Sequence, residues 1–422
     1  MDPKEISDAT VADDEKFFTK PLLIIFLTIF IDLVGFGIVI PLLPFYATEY
    51  QASPLDFGLL MSSYSLMQFI FSPIWGSLSD RYGRRPILFL TITGAGVGNL
   101  IVGFAGGLWM LYAGRILSGV MAGNLSTAQA YIADVTSRRN RAKGMGLFGM
   151  AFGLGFILGP AIAGVLSKFG IYVPFLFAAG LSFANAALLY VILPESLRRD
   201  GNASPEKRAG RVGELMRIAR DPRFTTITTE YFLLVTAFSI MTTAFAFYTM
   251  FNFGFDAERT GYLLAYVGFL AAISQGVLFG YFARRVGEAK LAVVGSLMLA
   301  ASLLAVPFIS SDFGGIPGLL FGTALFAVGN SLSSPALTSL ASKSADEMSQ
   351  GKTLGMLQSA ASLARVFGPL LCGVLLNNAA GEVDKNSLFR TFWTAAAIMG
   401  AAVGFAIYYL KRPREEKAHL AV

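Results

Sequence analysis

Twelve windows of about twenty apolar residues follow one another along the chain, with short polar segments between them. Because an α-helix rises about 1.5 Å per residue, each window is long enough to cross a hydrocarbon layer of about 30 Å. The chain is 55% hydrophobic and only 14% charged, a balance that excludes an ordinary soluble protein. We therefore predict an all-α polytopic membrane protein with twelve transmembrane helices, at residues 21–46, 55–77, 86–105, 108–130, 142–166, 171–193, 225–251, 260–282, 289–309, 315–341, 351–376 and 388–410.

The windows form two groups of six, separated by the longest polar segment of the chain. The two groups resemble each other, because Gly159–Pro160 recurs 209 residues later as Gly368–Pro369, and the segment from Gly76 recurs 204 residues later from Gly280. Two repeated halves around a central site are a common architecture of secondary transporters. We predict two pseudo-symmetric six-helix halves, with a tail at 1–20, a first half at 21–193, a linker at 194–224, a second half at 225–410 and a tail at 411–422.

The basic residues are distributed unevenly between two sets of loops. Segments that follow the even-numbered windows carry 24 of the 33 lysines and arginines, whereas the loops on the opposite side carry four. Loops rich in Lys and Arg remain in the cytoplasm. We therefore expect both termini to be cytoplasmic, and we interpret the net charge of +6 as a consequence of topology rather than of nucleic-acid binding.

The residue types present exclude several functions. A single cysteine, Cys372, and a single histidine, His419, cannot form a disulfide framework or most His/Cys metal sites. The chain has no GxxxxGK[ST] phosphate-binding loop and no cluster of nucleophile and base that would indicate an enzyme. We expect no metal and no cofactor, with the proton as the coupling ion if the protein transports.

Asp32 is the only charged residue in the first apolar window, where it lies within FIDLVGFGIVIPLLP. It follows Lys20 by twelve residues, which places it about 18 Å along a helix and near the middle of a bilayer. A charge at that depth costs about 2.5–3.5 kcal/mol on insertion scales. A carboxyl that alternates between water and a dry cavity can carry a proton. The alternative is a structural carboxyl held by hydrogen bonds between helices.

Three further acidic or basic residues lie inside the windows and away from their ends, and each has two interpretations. Arg115 can polarise Asp32, or it can extend to the outer surface. Glu230 can bind a proton or substrate, or it can complement the positive end of its own helix. Arg365 requires a partner from the fold, such as an acid or a carbonyl cluster, or an anionic substrate.

Polar and aromatic residues in the windows are candidates for lining a cavity between the halves. Aromatic rings with scattered amides suit amphipathic, drug-sized molecules, although most of the 37 phenylalanines must face lipid or pack inside the protein. The predicted substrate-cavity residues are Tyr64, Gln68, Asn124, Gln129, Glu230, Phe245, Tyr248, Asn252, Gln275, Asn330 and Arg365.

Four segments together resemble the major facilitator superfamily and, within it, the twelve-helix drug:proton antiporters that include tetracycline exporters. They are DLVGFGIVIPLLP in the first window, GSLSDRYGRRP at 76–86, LYAGRILSGVMAG from Leu111 and GLGFILGPAIAG from Gly153. The resemblance covers nearly the whole chain and implies the major facilitator fold. It also implies a titratable acid in the first helix, at Asp32. The windows contain no histidine, unlike those of some tetracycline exporters.

Two of these segments predict conformational roles. Asp80 can face the positive end of a neighbouring helix, and Arg84 can pair with Asp134 to latch the halves, unless the arginines are only cytoplasmic anchors. The glycines and proline of the segment from Gly153 allow close packing and a bend, unless they serve packing alone. The predicted latch residues are Gly76, Asp80, Arg81, Gly83, Arg84, Arg85 and Asp134, and the predicted antiporter-motif residues are Gly155, Gly159, Pro160 and Gly164.

These observations predict a proton-coupled exporter of amphipathic small molecules that works by alternating access, with Asp32, Arg115 and Glu230 in proton coupling. We expect a monomer in a bacterial inner membrane, whose partners are a small-molecule substrate, protons and the lipid bilayer. One alternative is an exporter of a metabolite such as a sugar, an amino acid or an organic anion, for which Arg365 is the relevant feature. The other is a receptor or scaffold that keeps the fold without transport.

Overall fold

The computed structural model of the protein describes residues 19–136, 141–197, 220–344, 350–378 and 383–411. These residues are mostly helical, with one isolated β-bridge between Ser310 and Gly314. A π-helical turn, Ser274–Leu278, joins α9 to α10, and a 3-10 turn, Val306–Phe308, follows α11. The α-helices are α1 (Lys20–Glu49), α2 (Pro54–Tyr82), α3 (Arg84–Gly103), α4 (Leu108–Met121), α5 (Asn124–Val135), α6 (Arg141–Ser167), α7 (Val173–Ile192), α8 (Pro222–Phe253), α9 (Ala257–Ile273), α10 (Phe279–Val286), α11 (Glu288–Ala305), α12 (Gly315–Lys343), α13 (Gln350–Leu376) and α14 (Lys385–Lys411).

Ten helical segments of the described chain are long and apolar enough to cross a membrane. They are α1, α2, α3, α7, α8, α9 with α10, α11, α12, α13 and α14. The fourth and fifth predicted windows are helical as well, as α4 with α5 and as α6. The prediction of an all-α membrane protein is therefore confirmed.

Polar caps and prolines determine where several helices begin. The Ser53 hydroxyl accepts the N–H of Asp56 while the Asp56 carboxylate accepts the N–H of Ser53, a capping box with proline at the next position. Asp221 caps α8 in a similar way, and Pro222 is its first residue. Helix α8 thus begins inside the predicted linker, of which residues 198–219 lie outside the described residues.

The fourth crossing differs from the prediction of one continuous helix at 108–130. The helix is interrupted at Ala122 and Gly123, between α4 and α5. A Cβ atom on Gly123 would lie only 2.4 Å from Trp75, and the Trp75 indole N–H donates to the Val120 carbonyl at 2.5 Å. The Trp75 side chain therefore occupies the space beside the break. As a consequence Asn124 starts a new helix, and its side chain is placed independently of α4.

The eighth crossing contains the π-helical turn between α9 and α10. A π turn leaves a helical carbonyl without its usual partner, and such turns occur often at functional sites. The Ser331 hydroxyl of α12 donates to the Ala271 carbonyl, just before the turn, at 3.1 Å. The same carbonyl also accepts the Ser274 N–H, so the neighbouring helix adds a second donor to a backbone group at membrane depth.

The two halves meet along two seams, where α2 packs against α13 and α6 packs against α9. At the first seam, a Cβ on Gly58 would lie 2.8 Å from the Gly373 Cα. At the second, a Cβ on Gly261 would lie 2.9 Å from the Gly164 Cα. Gly373 follows Gly164 by 209 residues, the separation found in the sequence repeat. The seams are therefore pseudo-symmetric equivalents in which glycines permit backbone contact.

Further contacts reinforce the same end of the molecule. The Ser62 hydroxyl donates to the Val366 carbonyl at 2.8 Å, from the first half to the second. Lys168 Nζ lies 2.9 Å from Glu258 Oε1 across the second seam. The hydrogen bond to Glu258 raises the pKa of Lys168 above its ordinary value.

The opposite end, which carries Arg84, is built differently. Around Gly76, Gly276 and Gly355 no atom lies within 4 Å of an added Cβ, apart from those of the helix itself and the adjacent residues. The contacts between halves described above all lie toward the end of Lys168 and Glu258. We call the space that lies between the halves, from these contacts toward the Arg84 end, the central cavity.

Candidate functional site

Four acidic or basic side chains of the described chain lie inside the apolar helices and away from their ends: Asp32 on α1, Arg115 on α4, Glu230 on α8 and Arg365 on α13. Their exposure differs. Arg115 is 3% exposed and Glu230 is 1% exposed, whereas Asp32 and Arg365 are partly exposed. One acid and one base of this set are therefore accessible from outside the protein interior.

Asp32 lies against the start of α5. Its carboxyl group and the Asn124 side chain, which is 6% exposed, lie in the wall of the same small pocket. The Asn124 Oδ1 atom accepts the N–H of Leu125 at 2.8 Å, so its amide nitrogen is free to donate. The break between α4 and α5 thus brings a donor to the acid. A small pocket adjoins the carboxyl and is otherwise apolar apart from Thr28, with Ile29, Leu88, Ile92, Leu125 and Ala128 in its wall.

Arg115 is held by an aromatic ring. Its guanidinium carbon lies 4.1 Å from the centre of the Tyr64 ring, a cation–π contact. The Tyr64 ring lies 5.7 Å from that of Phe36, which lies 6.0 Å from that of Phe156. We call Tyr64, Phe36 and Phe156 the aromatic row. It crosses from α2 over α1 to α6, and Tyr64 stands within electrostatic range of Asp32, Arg115 and Arg365.

Arg365 has little compensation from the protein. Its Nη2 atom donates to the Ser362 hydroxyl, one turn earlier on α13, at 3.2 Å. Tyr64 and Tyr231 lie within electrostatic range of its guanidinium. None of the ion pairs among the described residues includes Arg365. The sequence suggested an acid as one partner for Arg365. The described residues supply no acid that pairs with it.

Glu230 occupies a separate environment in the second half. Its carboxyl interacts with the Ser296 hydroxyl of α11, which shares a 2.8 Å hydrogen bond with Ser333 of α12. Glu230 Oε1 is buried and has no hydrogen-bond partner among the described residues. It lies eight residues after Pro222, beyond the first turn in which the positive end of a helix acts. The interpretation as a charge at a helix end is therefore wrong.

The other predicted cavity residues divide by burial. Phe245 and Tyr248 are 1% and 0% exposed. The Tyr248 hydroxyl donates to the Ile309 carbonyl at 2.8 Å, and its ring centre lies 5.4 Å from that of Phe392. Their placement on the cavity surface is corrected here, because both rings fill the core of the second half. Side chains that are at least partly exposed are those of Gln68, Gln129, Asn252, Gln275 and Asn330.

The predicted latch residues form an ionic cluster around Arg84. Its guanidinium lies 2.6 Å from Asp80 Oδ1 and 3.1 Å from Asp134 Oδ2, and it donates to the Ser79 hydroxyl at 2.7 Å. The Asp80 side chain is 66% exposed. All of these residues belong to the first half. The pair of Arg84 and Asp134 is thus present as a contact within one half, and its role in latching the halves stays a prediction.

The remaining residues of this loop have distinct positions. Gly83 has φ of +110°, a conformation that favours glycine. The guanidinium of Arg81 lies 5.3 Å from the Tyr82 ring centre, and that of Arg85 lies 5.1 Å from the Tyr190 ring centre. Both contacts lie within the first half as well.

Glu195 is a member of this cluster that the sequence analysis missed. Its carboxylate accepts the backbone N–H groups of Arg84 and Arg85, the first two residues of α3. The next residue, Ser196, donates to Asp134 at 3.1 Å. An acid directly after the proline that ends an apolar window was the available signal, since a carboxylate there can reach a neighbouring helix start.

The predicted antiporter-motif residues contact two different helices. A Cβ on Gly155 would lie 2.7 Å from the Leu33 Cβ, and one on Gly159 would lie 2.6 Å from the Gly37 Cα, both on α1. Gly164 instead faces α9 at the second seam, where the Pro160 carbonyl also points. The segment therefore packs the first half internally and joins it to the second.

The sequence matches the family model of the Major Facilitator Superfamily over residues 25–347 and 231–421. It is 32% identical over 363 residues to tetracycline resistance protein, class B, of Escherichia coli, covering 85% of this chain and 88% of that protein. It is 30% identical over 404 residues to multidrug resistance protein 2 of Bacillus subtilis (strain 168), covering 94% and 98%.

The fold is also similar to solved structures. A bacterial homolog of the human lysosomal transporter Spinster, in an inward-facing and occupied conformation, superposes with a TM-score of 0.77 over 93% of this chain and 98% of that one. The two sequences are 15% identical, so this likeness concerns the fold alone.

Proposed function

Since the chain belongs to the Major Facilitator Superfamily, we propose that it is a proton-coupled secondary transporter that exports amphipathic small molecules in exchange for protons. Asp32 is the observation that carries this proposal. It is a partly exposed carboxyl at membrane depth beside Asn124, and Tyr64, whose ring holds Arg115, stands within electrostatic range of it. Drug-resistance relatives of both tetracycline and multidrug type support export of drug-sized molecules.

Asp32 carries the proton in this mechanism. Water in the open cavity and the Asn124 amide favour the carboxylate, whereas an occluded, apolar cavity favours the neutral acid. Substrate and proton must each exclude the other, or the gradient would dissipate without work. Arg115, held on the Tyr64 ring, stabilises the carboxylate only in an arrangement of the helices that brings the two charges together. Glu230 is the second candidate carrier.

The arrangement of the two halves supports transport by alternating access. In the conformation described, the glycine seams join the halves near Lys168 and Glu258. Opening the seams and closing the opposite end would expose the same cavity to the other side of the membrane. We place the Arg84 end and both termini in the cytoplasm, because the basic loops lie there. We further propose a monomer in a bacterial inner membrane that needs no cofactor besides the proton.

The proposal is tested with purified protein in proteoliposomes under an imposed pH gradient. A panel of ethidium, tetracycline and norfloxacin should be moved only while the gradient is present, and nigericin should stop the movement. Asp32→Asn, which imitates the neutral acid, should abolish this transport. Asp312→Asn removes an exposed loop carboxylate and should leave it unchanged.

Two results would contradict the proposal. Transport that continues in the presence of nigericin would show that the protein is not coupled to protons. Absence of transport for every compound would favour a receptor or scaffold. If proton release on substrate binding persists in Asp32→Asn but is lost in Glu230→Gln, then Glu230 is the carrier.

An exporter of a metabolite such as a sugar, an amino acid or an organic anion is the second candidate. The partly exposed cation of Arg365 favours it, because no described acid pairs with this side chain. Including glucose, glutamate and p-aminohippurate in the same transport panel separates it from the drug exporter.

A further inference from the structure

We propose that the central cavity selects zwitterionic aromatic molecules, with the cationic group of the substrate at Asp32 and its anionic group at Arg365. The inference rests on the proposed export function and names its substrate class. The juxtaposition that carries it is one accessible acid and one accessible base on opposite halves, with the aromatic row next to them.

The accessible charges of the membrane interior are few. Arg115 and Glu230 are 3% and 1% exposed, so a substrate cannot contact them without rearrangement. Asp32 and Arg365 are partly exposed. Among the described residues, a substrate that reaches both side chains therefore meets one negative and one positive group, and its complement is a molecule that carries one of each.

An anion is the partner that best compensates the positive charge of Arg365. A guanidinium remains charged in the membrane interior and binds carboxylates through two parallel hydrogen bonds. The protein offers it one serine hydroxyl at 3.2 Å, and Tyr64 and Tyr231 lie within electrostatic range. Several of its five N–H donors remain open to a ligand carboxylate.

Asp32 determines the sign of coupling. A substrate cation and a proton compete for the same carboxylate, so binding of the cationic end expels the proton, as exchange requires. A purely anionic substrate would instead favour proton uptake at Asp32, which opposes exchange. A purely cationic substrate would leave Arg365 uncompensated. A zwitterion satisfies both side chains and keeps the direction of coupling.

The aromatic row accounts for the body of the substrate. Tyr64 stands within electrostatic range of both Asp32 and Arg365. It is joined to Phe36 at 5.7 Å and through it to Phe156 at 6.0 Å. These rings give an apolar surface next to the two charges, on which an aromatic body can stack.

Two matched pairs of probes test the inference on the purified full chain. Norfloxacin is compared with its methyl ester, and fexofenadine with terfenadine, so that each pair differs in the carboxylate. We expect the wild type to bind each zwitterion at least tenfold more tightly than its partner, and a pH dye to record proton release on binding.

Variants at position 365 assign the preference to the guanidinium. Arg365→Gln should lower the affinity for each zwitterion to the affinity for its uncharged or cationic partner. It should leave the affinity for that partner unchanged. Arg365→Lys should keep part of the preference, because lysine keeps the positive charge but cannot form the two parallel hydrogen bonds of a guanidinium. Lys411→Gln removes an exposed cation at the end of α14 and should change nothing.

Equal affinity for both members of each pair in the wild type, or an unaltered preference in Arg365→Gln, would overturn the inference. So would exchange of ethidium for protons without binding of either zwitterion, and in that case the proposed export function would stand. If no compound, ethidium included, is exchanged for protons, the export function fails and the inference fails with it.

Discussion

Glu195 caps a helix that begins 111 residues earlier in the chain: its Oε1 accepts the backbone N–H of Arg84 at 2.9 Å, and its Oε2 accepts that of Arg85 at 3.1 Å. The carboxylate thus satisfies two of the unpaired N–H groups that begin α3 and complements the positive end of that helix. Through this contact the end of the sixth crossing and the start of the third are held together, beside the Arg84 cluster.

Glu195→Gln should destabilise the first half by about 0.5–2 kcal/mol, the range for loss of a helix cap. An amide offers one oxygen, so its NH₂ group would face one of the two N–H donors. The thermal midpoint of the detergent-solubilised protein measures the effect. Glu49→Gln, which removes an exposed acid from the carboxyl end of α1, should not lower that midpoint. Equal midpoints for Glu195→Gln and the wild type would show that the cap is not needed.

Asp80→Asn and Arg84→Ala should slow turnover more than they weaken substrate binding. Both residues lie at the end of the molecule, outside the cavity, and act on the balance between conformations rather than on the substrate. Measuring the dissociation constant and the exchange rate on the same preparations separates the two effects. Weaker binding at unchanged turnover would argue against a latch.

Gly58→Ala should open the first seam. The added Cβ would lie 2.5 Å from the Pro369 carbonyl oxygen and 2.8 Å from the Gly373 Cα, and backbone atoms cannot move aside without separating α2 from α13. Spin labels at Gln51→Cys and Lys385→Cys, in a Cys372→Ser background, should report a longer distance in this variant.

Gly400→Ala is the matched control, because nothing lies within 4 Å of the Cβ added there. It should leave the label distance unchanged. A Gly58→Ala distribution that overlaps the parent would mean that the glycine contact does not determine closure.

The ion pair of Lys168 and Glu258 should add to closure at the second seam. Lys168→Gln, Glu258→Gln and the double variant should lengthen the same label distance by equal, small amounts, since each removes one interaction. Additive shifts would show that the two residues act independently.

The pH dependence of this pair follows from the raised pKa of Lys168. A raised pKa means that the stabilisation is fully present below the ordinary value of 10.5 and is lost only as the pH rises beyond it. Lys168 should therefore cause no difference between the label distances of the wild type at pH 6 and at pH 9. In the Lys168→Gln variant, any pH-dependent change that remains belongs to other groups.

The order of amino acids alone specifies the helical membrane fold and the depth of its charges. Apolar windows of bilayer length are a local property, and so is the position of Asp32 in the first window, because a helix converts residue number directly into depth. The repeat of Gly159–Pro160 as Gly368–Pro369 likewise predicted two related halves, and Gly164 and Gly373 occupy equivalent seams at the same separation.

The packing of the helices, in contrast, establishes which of these residues are accessible and what they contact. Nothing in the order of residues shows that Trp75 would sit beside the break that starts α5 and so bring Asn124 to Asp32. Burial of Glu230 and Tyr248, and exposure of Arg365, depend on which helix lies opposite each side chain. That choice is made by packing between segments far apart in the chain, whereas apolar length and charge depth are fixed within a single helix.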